Sequence, residues 1–173
     1  NMDLLAAAGI DSIPTNWDEV IDACGKLEAA GSGTLYFGWN ITGNWFHQAL
    51  MHTQNVKIVE DGKVNLGGDA GLATLQQMHD IMSGCNMPNY SIADGQAAFN
   101  AGTIGMMFWS TSSLGSVNAA KADFVLKTAP FPGMAGVNNG TPARLPAGGN
   151  AAMLTSTSDD PARVDAAWTF LKF

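Results

Sequence analysis

Four consecutive hydroxyl residues, Ser110-Thr111-Ser112-Ser113, carry the densest hydrogen-bonding chemistry in this chain. They follow Trp109 and an apolar run at residues 103–108, which has the length of a buried strand. A helix-like stretch at 114–122 comes next. In open α/β sheets ligands sit just beyond the carboxyl ends of strands, and hydroxyls at a helix start can meet a polar or anionic group there. The same spacing also describes an ordinary Ser/Thr helix cap.

Tryptophans form a second candidate group. Trp39 and Trp45 flank Asn40-Ile41-Thr42-Gly43-Asn44, read as a polar, flexible stretch between a strand end and a helix start. A loop tryptophan offers a flat apolar face with one donor on its edge, which suits the C–H faces of a sugar or polyol. The alternative is that they fill the core, as Trp17 and Trp168 are expected to do from their helices. Trp109 either lines the same cleft or anchors its strand end. A third element is Gly148-Gly149, where the backbone can approach a neighbouring strand or a ligand closely. Arg144 lies in the same loop, as an anion partner or a solvated side chain.

Recognisable catalytic signatures are missing. His47 and His52 are five residues apart, which does not place both on one helix face for zinc, and there is no His-Glu-x-x-His. No Gly-x-Ser-x-Gly elbow, Walker loop or Gly-x-Gly-x-x-Gly fingerprint occurs. A hydrolase would have to pair Ser113 with His79 or His47, for which nothing local speaks. Neither metal nor cofactor is expected.

The elements that must position these groups alternate between helix and strand. Helices are expected at 2–8, closed by Gly9, and at 17–30, where Asn16 caps and Glu19 stands three residues on. Further helices fall at 45–54, 69–83, 91–101 and 114–122. Leu72, Leu75, Met78, His79 and Met82 mark the inward side of the fourth. A closing helix follows Asp160 and Pro161, with Ala166, Ala167, Phe170 and Leu171 facing inward. Strands are expected at 34–38, 103–108, 124–129 and 150–154, and a small hairpin turns at Asp61-Gly62. This alternation points to an α/β layer structure.

Composition narrows the class. The chain has 173 residues, 46% hydrophobic and 13% charged, enough for one globular core. A net charge of −7 with only eight scattered basic residues argues against a nucleic-acid surface. No run of ~18 apolar residues spans a membrane. Cys24 and Cys85 are open to two readings, a disulfide or two buried thiols.

Five motifs in order resemble the extracellular solute-binding proteins of bacterial ABC importers. Asn1-Met2-Asp3-Leu4-Leu5 with Ala8-Gly9-Ile10 is similar to that family's "YNxDLLKKAGI". Thr15 to Val20 resembles "P-x-T-W-D-E" with one extra residue, Asn16. Phe99-Asn100-Ala101-Gly102 through Gly105-Met106 resembles "F-x-x-G-x-x-A-M", with Gly105 where Ala is usual. Gly148-Gly149 and Ala167-Trp168-Thr169-Phe170-Leu171-Lys172-Phe173 resemble "GG" and "AWxFIKF".

The resemblance implies one lobe of a type II periplasmic-binding-protein-like fold, with helices packed around a short mixed sheet. Residues 1–173 would form a single α/β lobe, without the other lobe and the last segment. It implies a non-enzymatic protein of the periplasm or cell exterior that captures a sugar or glycerol phosphate and delivers it to a membrane permease. Gly38-Trp39, Trp45 and the serine-rich turn look most like the glycerol-3-phosphate and glycerophosphodiester binders. By that likeness Trp39 and Trp45 pack on the solute, Ser110 or Ser113 hydrogen-bonds it, and Gly148 or Gly149 offers its N–H. A hydrolase using the serine-rich turn and a purely structural domain are the rival readings.

Overall fold

The computed structural model describes residues 1–134, 137, 145, 153–155 and 160–172, and their side chains apart from those of 39–44. Helix α1 (Met2–Ala7) is followed by α2 (Trp17–Ala29), whose start is built from local hydrogen bonds. Asn16 Oδ1 accepts from the Glu19 N–H at 2.9 Å. The Glu19 carboxylate returns to Thr15, accepting from its N–H at 2.7 Å and its hydroxyl at 2.9 Å. This is a capping box whose return bond lands one residue early. Trp17, Val20, Ala23, Cys24 and Leu27 bury the inner stripe of α2.

Helix α2 and the later α5 (Ile92–Asn100) end in the same way. Gly31 and Gly102 both take the left-handed region, at φ 77. Ser32 N–H reaches Leu27 C=O and Thr103 N–H reaches Ala98 C=O, the Schellman pattern in both cases. Each turn feeds directly into a strand, β1 (Gly33–Phe37) and β4 (Ile104–Phe108) respectively. The two strands pair in parallel, with Gly33 opposite Ile104, Leu35 opposite Met106 and Phe37 opposite Phe108. Leu35, Tyr36, Phe37, Ile104 and Met106 are all buried, as expected of parallel strands covered on both faces.

Between β1 and β4 come α3 (Trp39–Thr53), the hairpin of β2 (Val59–Glu60) and β3 (Lys63–Val64), and α4 (Gly68–Gly84). After β4 a 3₁₀ turn (Thr111–Ser113) runs into α6 (Leu114–Ala120), and α7 (Pro161–Lys172) stands last. The expected α/β class holds. Among the described residues the parallel and antiparallel pairings form two separate two-stranded ladders rather than one sheet.

Several local expectations need correction. Residues 39–44 are not a loop but the first turns of α3. Their own residue types favour helix poorly, and burial of Phe46, Ala49, Leu50 and Met51 further along carries the helix. Helix α4 is rotated from its expected face: Leu72 and Leu75 are 68% and 57% exposed and His79 is exposed, while Gly71, Thr74 and Ile81 are buried. The Gln54 amide fixes this rotation by donating to Thr74 Oγ1 at 2.7 Å and to Ala70 C=O at 3.1 Å.

Residues 124–129 form no strand. The Asn1 amino group donates to Gly105 C=O and Met2 N–H donates to Val125 C=O, so the first two residues stand between this segment and β4. Helix α7 buries nothing: Trp168 is 50% and Phe170 80% exposed, Ala166 and Ala167 are exposed, and Leu171 is half-buried. Its apolar spacing marks a face, and no described residue supplies a cover for it. Asp160 does cap it, accepting from Ala162 N–H at 3.0 Å. Of the strand expected at 150–154, residues 150–152 lie outside the described residues, and 153–154 are irregular and exposed.

The two cysteines are joined. Cys24 on α2 and Cys85, which caps α4, form a disulfide with Cα atoms 4.9 Å apart. Thr34 Oγ1 donates to Cys85 C=O at 2.6 Å, so the same residue is also tied to β1.

Candidate functional site

The carboxyl ends of β1 and β4 lie side by side through the Phe37–Phe108 pairing. Helix α3 starts at Trp39 and the serine-rich turn at Ser110, each two residues past its strand end. An open groove of ≈ 250 Å³ extends from the β4 end, along residues 126–132. Phe46, Phe108, Phe131, Trp109, Ser110 and Ser113 are among its lining.

The apolar wall is an aromatic cluster anchored in the core. Phe46 and Phe131 stack with centroids 5.9 Å apart and planes at 17°. Phe37 backs Phe46 at 4.0 Å, and Phe108 meets Phe131 nearly edge-on at 5.9 Å. The fully buried Trp17 touches Phe37, Phe108 and Phe131. Phe131 sits between Pro130 and Pro132, and standing before a proline restricts it towards extended backbone. Gly133 is tied to the α2 cap, where Trp17 N–H donates to its C=O and its N–H donates to Thr15 C=O.

The polar rim comes from the turn after β4. Ser110 Oγ accepts from Ser112 N–H at 3.3 Å, and the two hydroxyls lie 2.9 Å apart. Ser113 N–H donates to Ser110 C=O at 3.1 Å. Trp109 Nε1 donates to Ser113 Oγ at 3.0 Å, and its ring stacks on Tyr36 at 5.7 Å. Burial raises the Tyr36 phenol above its ordinary pKa, so it is neutral beneath this stack.

Lys127 is the one charged side chain among the described lining residues. No histidine, aspartate or glutamate side chain is among them. His79 bonds its neighbour Asp80 on exposed α4. No cluster of three potential metal ligands occurs among the described residues.

The sequence-expected site residues divide three ways. Ser110 and Ser113 share the groove with the aromatic wall. Trp45 is 43% exposed on α3, next to the lining residue Phe46 but not itself in the lining. Six residues separate Trp39 from Trp45, which sets them about a third of a turn apart around the helix. The Trp39 side chain, Arg144, Gly148 and Gly149 lie outside the described residues. Phe46 and Phe131 were not singled out from sequence. A proline on each side of Phe131 was the available signal for a held, solvent-facing aromatic.

An aromatic wall with a hydroxyl rim at the strand ends has the place and the make-up that α/β folds use for small molecules. The sequence profile of the bacterial extracellular solute-binding proteins matches residues 1–173. The chain belongs to this family. It also shares its fold with solved structures of that family. A family 1 extracellular solute-binding protein from Bifidobacterium longum subsp. infantis matches at TM-score 0.64 and 21% identity, over 99% of this chain and 46% of that one. Maltose-bound MalE3 of T. maritima matches at TM-score 0.60 and 19% identity, over 98% and 45%. The chain therefore spans less than half the length of these structures. Comparison with curated proteins gives no match. No helix among the described residues is long and apolar enough to cross a membrane.

Proposed function

We propose that this solute-binding protein chain forms one wall of a cleft in which an ABC importer's binding component captures a polar solute for a membrane permease. A saccharide is the favoured class. The observation that carries the reading is the groove itself: parallel Phe46 and Phe131 rings beside the hydroxyls of Ser110 and Ser113. The half-exposed Phe131 ring, backed by the buried Phe46, suits the C–H face of a sugar ring, and the hydroxyls suit its oxygens. The maltose-bound state of one structural neighbour supports the same class.

A glycerol phosphate is the second solute class. Lys127 on the groove lining favours it, since a phosphate needs a cationic partner. Gly148, Gly149 and Trp39 stay in the proposal as solute contacts by family resemblance, with Trp45 at the margin.

Binding does no chemistry here. Its effect is to favour the closed arrangement of the two lobes by differential affinity. The Cys24–Cys85 disulfide supports residence in an oxidising compartment outside the cytoplasm. A thermal-shift panel on the full-length protein tests the reading, because a ligand that binds only the folded state raises Tm. A saccharide such as maltose, or failing that sn-glycerol 3-phosphate, is expected to raise it. No shift with any saccharide or glycerol phosphate would contradict the proposal.

A further inference from the structure

Trp109 lines the groove, yet its ring faces the core more than the solute space. It is half-buried and stacked on Tyr36, 5.7 Å away with planes at 27°. Tyr36 is itself held from behind: its ring lies so close to Gly95 that a Cβ there would overlap it. The indole plane is thus fixed by packing, and its N–H is aimed at Ser113 Oγ, 3.0 Å away.

The direction of that bond follows from the groups. An indole nitrogen only donates, whereas a serine hydroxyl has one hydrogen and two lone pairs. Ser113 must therefore accept from Trp109 and keep its own hydrogen. Its backbone is also committed, since its N–H donates to Ser110 C=O and its C=O accepts from Ser116 Oγ at 2.9 Å. No acceptor for the Ser113 hydroxyl hydrogen is found among the described residues. The neighbouring pair differs. Between Ser110 and Ser112 either hydroxyl can donate, so no direction is imposed.

We infer that Trp109 is a positioning residue: by occupying one lone pair of Ser113 Oγ it orients that hydroxyl and leaves its hydrogen for an acceptor oxygen of the solute. That oxygen is a hydroxyl, ring or glycosidic oxygen of a saccharide, or an oxygen of a glycerol phosphate. The inference rests on the solute reading above and adds to it the polarity of one contact.

The test uses the full-length protein and two probes, maltose and sn-glycerol 3-phosphate. The indole N–H signal that disappears from the NMR spectrum in W109F identifies Trp109. S113A is expected to move that signal in the solute-free protein. By calorimetry S113A weakens the bound probe about fivefold to tenfold, the scale of one hydrogen bond. W109F keeps a ring on Tyr36 but loses the N–H, and weakens binding in the same direction. The W109F/S113A double variant is no weaker than S113A alone, because both act through one hydroxyl. S113T, which retains the hydroxyl, restores binding.

Losses confined to maltose assign a saccharide oxygen, and losses confined to sn-glycerol 3-phosphate assign an oxygen of the glycerol phosphate. An indole signal unmoved by S113A, or losses that add in the double variant, would overturn the inference alone. Failure of the unaltered protein to bind either probe would contradict the solute reading and the inference together. Should W109F not fold, the indole shift in S113A and the recovery in S113T still decide the matter.

Discussion

Phe37 and Phe108 are register partners at the ends of two parallel strands. Their pairing brings the start of α3 and the serine-rich turn to one edge of the molecule. Helix α3 then supplies Phe46 and the turn supplies Ser110 and Ser113, so one backbone pairing positions both halves of the groove. The pairing depends in turn on Gly31 and Gly102, whose matching left-handed turns deliver the two chains into the ladder in register.

Breaking the Cys24–Cys85 link is expected to destabilise the fold substantially. The bond closes a segment with a sequence separation of 61, and chain entropy alone predicts a loss of about 4 kcal/mol. Denaturant unfolding of a C24A/C85A variant measures it. A midpoint equal to that of the unaltered protein would contradict the account.

Gly105 is set by packing rather than backbone conformation. A Cβ there would stand 2.5 Å from Leu27 Cδ1, and Leu27 is fully buried between α2 and β4. G105A is expected to lower stability by about 1–3 kcal/mol through overpacking, although related sequences are expected to carry alanine at this point. An additional L27V change makes room and is expected to recover part of the loss, read from thermal unfolding of the three variants.

Glu19 ties the α2 start to low-pH stability. Hydrogen bonds from the Thr15 backbone and hydroxyl hold its carboxyl below the ordinary glutamate value. A lowered folded-state pKa means the ionised form stabilises the fold. That stabilisation is fully present above the unfolded glutamate pKa and is lost as pH falls through the lowered folded value. E19Q is therefore expected to unfold more easily than the unaltered protein at neutral pH, with the gap closing in acid. A pH series of denaturant midpoints for both proteins checks the sign.

What the sequence made legible was local. The α2 cap lies within Thr15 to Glu19 and each of its bonds spans three or four residues. The glycines after α2 and α5 announce their own turns. What escaped depends on distant partners. Residues 39–44 are helical because Phe46 and Leu50 pack far along the same element. The face of α4 was turned by Gln54, 16 and 20 residues upstream of its contacts. Asn1 and Met2 occupy the place where residues 124–129 would have met β4. The serines of the site were visible as a cluster. Phe46 and Phe131 were not, because only the folded chain stacks two rings from segments 85 residues apart.

Solute affinity is expected to need more than this wall. The groove is open, and the proposed two-lobed cleft has this chain supply only one wall of it. Residues 1–173 alone are expected to bind solute far more weakly than the full-length protein. Calorimetric titration of both with the same saccharide measures the difference, and equal affinities would contradict a two-lobed site.

The central claim is that the Phe46–Phe131 and Ser110–Ser113 groove touches the solute. Calorimetry on full-length F131A tests it most directly, using a solute that the unaltered protein binds. Phe131 is half-buried, so its truncation is expected to leave the circular dichroism spectrum intact. The account predicts at least a tenfold loss of affinity, the scale of one aromatic contact. Unchanged affinity in a folded F131A protein would contradict it.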